Sequence, residues 1–149
     1  METIVILLAF INIVVASYAQ WVSVHVKNLS PNTLHIANAE LDWGKFYADG
    51  NKDRELSSSA IDQVVIASDN AHDINSCGRL NSASGTEGQF HITDGKRNIC
   101  TLYWNCPWGA HNSFEVRDVN SEYVVTAGPW NHYAGAIGNV DVEIRPKSF

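Results

Sequence analysis

The sequence predicts an all-β protein, a single antiparallel sandwich or barrel. Three observations lead there. Apolar and polar residues alternate with a period of two rather than 3.6. Turn-forming clusters recur at short intervals between the alternating runs. Leu, Ala, Glu and Lys do not dominate the composition, which argues against a helical bundle.

Each element follows from its own pattern. Val22, Val24 and Val26 alternate with Trp21, Ser23, His25 and Lys27, so one face is buried and the other wet. Leu34-His35-Ile36, Gln89-Phe90-His91-Ile92, Phe114-Glu115-Val116-Arg117 and Val140-Asp141-Val142-Glu143-Ile144 alternate in the same way. Gln63 to Ile66 is a short apolar run, and Ile99 to Trp104 and Tyr123 to Thr126 are β-branched and aromatic. Ser30-Pro31-Asn32, Asp49-Gly50-Asn51, Ser84-Gly85, Asp94-Gly95, Gly128-Pro129 and Gly138-Asn139 supply the turns. A short, Ser-rich stretch near Glu55 to Asp62 is the one helical candidate.

The 149 residues suffice for one domain with its own core. Ten Lys and Arg stand against sixteen Asp and Glu, for a net charge of −6. Such a chain is a poor electrostatic partner for nucleic acid and is repelled by anionic lipid, so a membrane partner has to be recognised by other means.

The N-terminus is set apart. Ile4 to Ala16 is apolar except for Asn12, short of the ~18–20 residues of a membrane-spanning helix. Small residues follow at Ala16, Ser17 and Ala19, as after a secretory signal, although Met1-Glu2-Thr3 lacks the usual positive charge. The pattern predicts a signal peptide or an N-terminal extension over 1–16, a sandwich domain over 17–149, and a secreted protein.

No catalytic motif is present: the chain has no GxSxG, P-loop, GxGxxG or HExxH. Cys77, Cys100 and Cys106 allow at most one disulfide and form no zinc spacing. The six His are scattered, several at polar strand positions, which favours solvated side chains over a metal site. The expectation is a protein without enzymatic activity, metal or cofactor. Asp49-Gly50-Asn51-Lys52-Asp53 starts like a calcium loop, but Arg54 and Ala60 replace the required Gly and Glu, so a polar hairpin turn is expected. Asn28-Leu29-Ser30 is a glycosylation sequon, followed directly by Pro31.

The tryptophans are more informative. Trp43, Trp108 and Trp130 adjoin Gly or Pro, which puts them at strand ends or in loops, while Trp104 lies in a run that reads as buried. Trp at loop positions suits a binding rim, because indole offers an apolar body and a polar N–H to a water–lipid or water–sugar boundary.

Ordered blocks then carry a resemblance. Tyr18-Ala19-Gln20-Trp21, Trp43-Gly44-Lys45, Ala48 to Asp53, Asn75-Ser76-Cys77-Gly78-Arg79, Gly85-Thr86-Glu87-Gly88, Tyr103 to Gly109, and Gly135 to Gly138 with Val140-Asp141-Val142 resemble the aegerolysins, in particular the mould hemolysin branch. The resemblance spans Tyr18 to about Ile144. It implies an antiparallel β-sandwich of aegerolysin, actinoporin-like shape. It implies binding to membrane sphingolipids, either ceramide phosphoethanolamine or sphingomyelin with sterol, and cytolysis with a perforin-like partner that supplies the spanning hairpins. It carries the lipid-facing role to Trp21, Trp43 and Trp108. Lys45 or backbone N–H groups would bond the phosphate.

Three features depart from the family pattern. Ala110-His111 stands where a small residue and Lys are common, so a cation there depends on protonation of His111. Ser84 replaces an acidic residue of some members, and residues 1–16 precede the usual start. The alternative function is a soluble glycan-binding module on the same Trp rim. A small secreted hydrolase is disfavoured by the lack of a clustered nucleophile and base.

Overall fold

The computed structural model describes residues 18–148. The signal or extension expected over 1–16 lies outside them. Eleven strands and one short helix follow in order: β1 (Trp21–Asn28), β2 (Leu34–Trp43), β3 (Lys45–Ala48), β4 (Asn51–Leu56), α1 (Ser58–Ile61), β5 (Val65–Ile66), β6 (Ala71–Cys77), β7 (Thr86–Thr93), β8 (Asn98–Cys106), β9 (Ser113–Arg117), β10 (Tyr123–Ala127) and β11 (Gly138–Pro146). They form a six-stranded sheet, β10-β11-β1-β6-β3-β4, and a five-stranded sheet, β5-β2-β7-β8-β9. The all-β sandwich is as the alternation predicts.

The inward positions are the predicted ones. Val22, Val24, Val26, Val140, Val142 and Ile144 of one sheet face Ile36, Phe90, Ile92 and Leu102 of the other in one core. Trp104 lies fully buried among them, with Phe46 and Phe90 rings each 6.1 Å away. The short helix is capped by Ser57, whose hydroxyl accepts from the Ala60 N–H.

One ladder departs from the antiparallel expectation: β1 and β11 pair in parallel. Hairpin connections force antiparallel neighbours, but the first and last strands are joined by nearly the whole chain, so no turn dictates their direction. A second difference is β6, which the sequence pattern does not announce. Its sequence, AHDINSC, has no apolar alternation, yet it runs through the middle of the six-stranded sheet. Its inward Ser76 is satisfied by the Lys45 carbonyl (3.0 Å) and the Thr86 hydroxyl (2.6 Å).

The structure also decides two points that the sequence leaves open. The sequon residue Asn28 is buried, and its amide nitrogen donates to the Asn32 and Ile66 carbonyls at 2.7 and 2.9 Å. Its side chain is a structural bracket, closed to a glycan once folded. Cys77, Cys100 and Cys106 are all free and buried, so the one disulfide that three cysteines permit does not form.

Candidate functional site

The strand registers bring the tryptophan blocks to one end of the sandwich. Trp21 pairs with Cys77, and Cys77 with Lys45, across three strands of the larger sheet. Trp43 pairs with Glu87, and Thr86 with Cys106, across the smaller sheet. Trp108 follows two residues after Cys106, so Trp43 at the end of β2 and Trp108 in the loop after β8 lie at the same end.

Local geometry holds them there. Gly44 turns the chain from β2 in one sheet to β3 in the other at φ +91°, and a Cβ there would lie 2.5 Å from the Cys77 carbonyl oxygen. Only glycine fits this crossover, and it leaves Trp43 pointing outward at 58% exposure. Gly85, at φ +70°, presses against the Cys106 backbone and fixes the 78–85 loop on the start of the Trp108 turn. Trp108 is 46% exposed and borders a small hollow lined by Asn81, Ser82 and Ala83.

Trp21 sits differently. Its side chain is half-buried on the outer face of the larger sheet, and the Lys52 ammonium lies 4.7 Å from its ring centroid. Burial holds the Lys52 pKa below its ordinary value. Lys45 does not meet the expectation of a phosphate ligand. It is buried, with its ammonium 4.4 Å from the Tyr18 ring centroid and 3.2 Å from the Tyr18 hydroxyl. Tyr18 in turn donates to Asp53 at 2.6 Å.

The 128–137 loop contributes aromatic surface that the motif reading leaves out. Tyr133 is 72% exposed and meets His111 edge to face at 6.0 Å. Trp130 is half-buried, stacked on His132 at 3.6 Å and tilted against Phe114. Asn112 pins this loop, its amide nitrogen donating to the carbonyls of Asn131, Tyr133 and Gly135. The signal for it in the sequence is the aromatic cluster Trp130-Asn131-His132-Tyr133 directly after Gly128-Pro129. Ser84 is half-buried and shares a hydrogen bond with Ser82 at 2.9 Å.

The thiols are not chemical groups of this end. Burial pushes Cys77 and Cys106 up, and Cys100 up to about 12, so all three stay protonated. Among the described residues no cluster of His, Cys, Asp or Glu is arranged to hold a metal ion. No helix among them is long and apolar enough to cross a membrane.

Fold and site together define a small two-sheet β-sandwich protein with a loop-built, aromatic end. The chain belongs to the aegerolysin family, whose model matches residues 19–147. It is 47% identical to Asp-hemolysin of Aspergillus fumigatus, over 89% of this chain and 97% of that protein. It is 41% identical to Aegerolysin Aa-Pri1 of Cyclocybe aegerita, over 88% and 93% respectively. Among solved structures it is similar to the RahU protein crystallised with a TRIS molecule, at a TM-score of 0.84 and 34% identity, covering 89% of this chain and 99% of RahU.

Proposed function

We propose that this chain is a secreted, hemolysin-type lipid-binding protein that docks its aromatic end on sphingolipid membranes. The single observation that carries the reading is the pair Trp43 and Trp108, 58% and 46% exposed at the end of β2 and in the loop after β8, at one end of a rigid sandwich. Indole side chains left in water in this way suit the headgroup level of a bilayer. Trp43 and Trp108 make the contact, and Trp21 flanks it from the outer face of the larger sheet.

The charge supports the same reading. At −6 the chain has no general attraction to anionic lipid, so it reads a zwitterionic headgroup locally. Ceramide phosphoethanolamine and sphingomyelin, each with sterol, supply such headgroups. With Lys45 buried under Tyr18, the phosphate falls to loop N–H groups and to His111, which is exposed beside Tyr133. The name of Asp-hemolysin supports a cytolytic role. The strands are occupied in the sandwich, so lysis is assigned to a perforin-like partner that the bound sandwich recruits.

Vesicle pelleting tests the proposal. The purified chain should sediment with vesicles of sphingomyelin plus sterol or ceramide phosphoethanolamine plus sterol, and not with phosphatidylserine. Binding should change little as salt rises, because no polybasic attraction is there to be screened over the ~8–10 Å Debye length. Preference for phosphatidylserine, or steep salt loss, overturns the headgroup reading. Complete leakage of dye-loaded vesicles by this chain alone overturns the division of labour with a partner.

A further inference from the structure

The outer face of the larger sheet carries a cleft of about 570 Å³, walled by the β3–β4 hairpin. Its volume lies within the range of small-ligand sites. Its floor is one row of register partners on four adjacent strands. Asn139 of β11 lies beside Ser23 of β1, Ser23 beside Asn75 of β6, and Asn75 beside Tyr47 of β3. All four line the cleft.

Two of them are buried polar groups with unused capacity. Asn75 is 3% exposed and Tyr47 6%. The Asn75 Oδ1 accepts from Ser23 at 2.6 Å, but among the described residues neither the Asn75 Nδ2 nor the Tyr47 hydroxyl has a protein partner. Neither is among the polar atoms sealed from solvent, so both keep access to the cleft. A buried donor without a partner costs free energy unless water or a ligand satisfies it. Burial, helped by Cys77, Asp49 and Asp73, pushes the Tyr47 phenol up to about 12, which keeps it a neutral donor.

The rest of the lining narrows the ligand. On the hairpin wall Asp49 and Asp53 outnumber Lys52, whose ammonium is held over the Trp21 ring, so an anion is opposed. A purely apolar ligand would leave Asn75 and Tyr47 unsatisfied. An ammonium group would want an open ring face, but the Trp21 ring already carries Lys52 and the Tyr18 ring carries Lys45. A neutral polyol meets every condition: its hydroxyls both donate and accept, and it requires no open ring face. We propose that this cleft is a carbohydrate site, taking a neutral pyranose unit of a glycan. It adjoins the lipid-docking end without sharing its two exposed indoles: Trp21 lines the cleft, whereas Trp43 and Trp108 do not.

The test is titration of the isotope-labelled full chain with the methyl glycosides of glucose, galactose, mannose and N-acetylglucosamine, followed by NMR. Phosphocholine and ethanolamine serve as ammonium probes. At least one glycoside should shift the Asn75 side-chain amide and the Trp21 indole signals with millimolar affinity. Tyr47→Phe, which removes one hydroxyl, should weaken it about fivefold. Asn139→Ala changes an exposed side chain and should also weaken binding, which keeps the test valid if Tyr47→Phe unfolds. The proposal is overturned if no glycoside shifts these signals, if both variants bind as the parent does, or if an ammonium probe binds the row more tightly than any glycoside.

Discussion

The indole nitrogen of Trp104 donates to the Thr86 hydroxyl at 3.1 Å, deep between the two sheets. Thr86 shares a 2.6 Å hydrogen bond with Ser76, and Ser76 donates to the Lys45 carbonyl. This polar chain links β8 and β7 of one sheet to β6 and β3 of the other, at the end of the sandwich that carries Trp43 and Trp108. A fully buried tryptophan therefore fixes the spacing of the sheets behind the exposed ones. Trp104→Phe should keep the fold but cost about 1–3 kcal/mol by leaving the Thr86 hydroxyl short of a donor. Trp104→Ala should cost about 3–5 kcal/mol. Chemical denaturation of the two variants measures both losses, and a Trp104→Phe variant as stable as the parent would show that the hydrogen bond contributes nothing.

Trp43→Ala and Trp108→Ala should behave oppositely. Both side chains lie outside the core, Trp43 58% and Trp108 46% exposed, so stability should move by no more than about 1 kcal/mol. Vesicle binding should be lost or sharply weakened. Trp21→Ala should show both effects, because its ring is half-buried under Lys52. Pelleting beside thermal unfolding separates them, and a folded variant that binds normally removes its residue from the contact.

At the opposite end, Asp94 ties the sheets together. One carboxylate oxygen accepts from the Lys96 and Arg97 N–H groups at 2.9 and 2.8 Å, and the other from the Tyr123 hydroxyl at 2.8 Å. Burial alone would raise its pKa, but these donors outweigh burial and lower it to about 2. A depressed carboxylate contributes stability that is present above its ordinary value and lost as pH falls through the folded one. Asp94→Asn should therefore be less stable than the parent by on the order of 2 kcal/mol near neutrality, the gap closing between about pH 4 and pH 2. A gap that stays constant with pH would show that the ionised carboxylate is not the source.

Asn28 should carry no glycan when the chain is produced in a glycosylating host. Its amide nitrogen is spent on two carbonyls, and its oxygen accepts from the Ser30 N–H and hydroxyl at 3.0 and 2.7 Å. Asn28→Asp would turn a carboxylate toward those carbonyls and should cost more than about 3 kcal/mol. Intact mass of the chain made in that host checks the first point, and denaturation the second. A glycan at Asn28 would mean that modification precedes folding and that the bracket is dispensable.

Much of the fold was legible in the residues themselves. Alternation is local, so Val22, Val24 and Val26, or Phe90 and Ile92, declare which side of a strand faces inward without reference to any partner. Gly and Pro beside Trp43 and Trp108 likewise mark chain bends whose side chains the strands cannot bury. What the tertiary structure alone decided is non-local. It set β6 in the middle of a sheet, because the buried Ser76 finds its partners at Lys45 and Thr86, far along the chain. It let β1 and β11 run parallel, since no hairpin joins them. It withdrew Lys45 from the surface onto Tyr18 and closed Asn28 against Ile66. It assembled the Asn139–Ser23–Asn75–Tyr47 row from four strands. A polar side chain has no period that marks it as buried. Its fate depends on whether a distant residue offers a matching donor or acceptor, and only the packed sheets supply that.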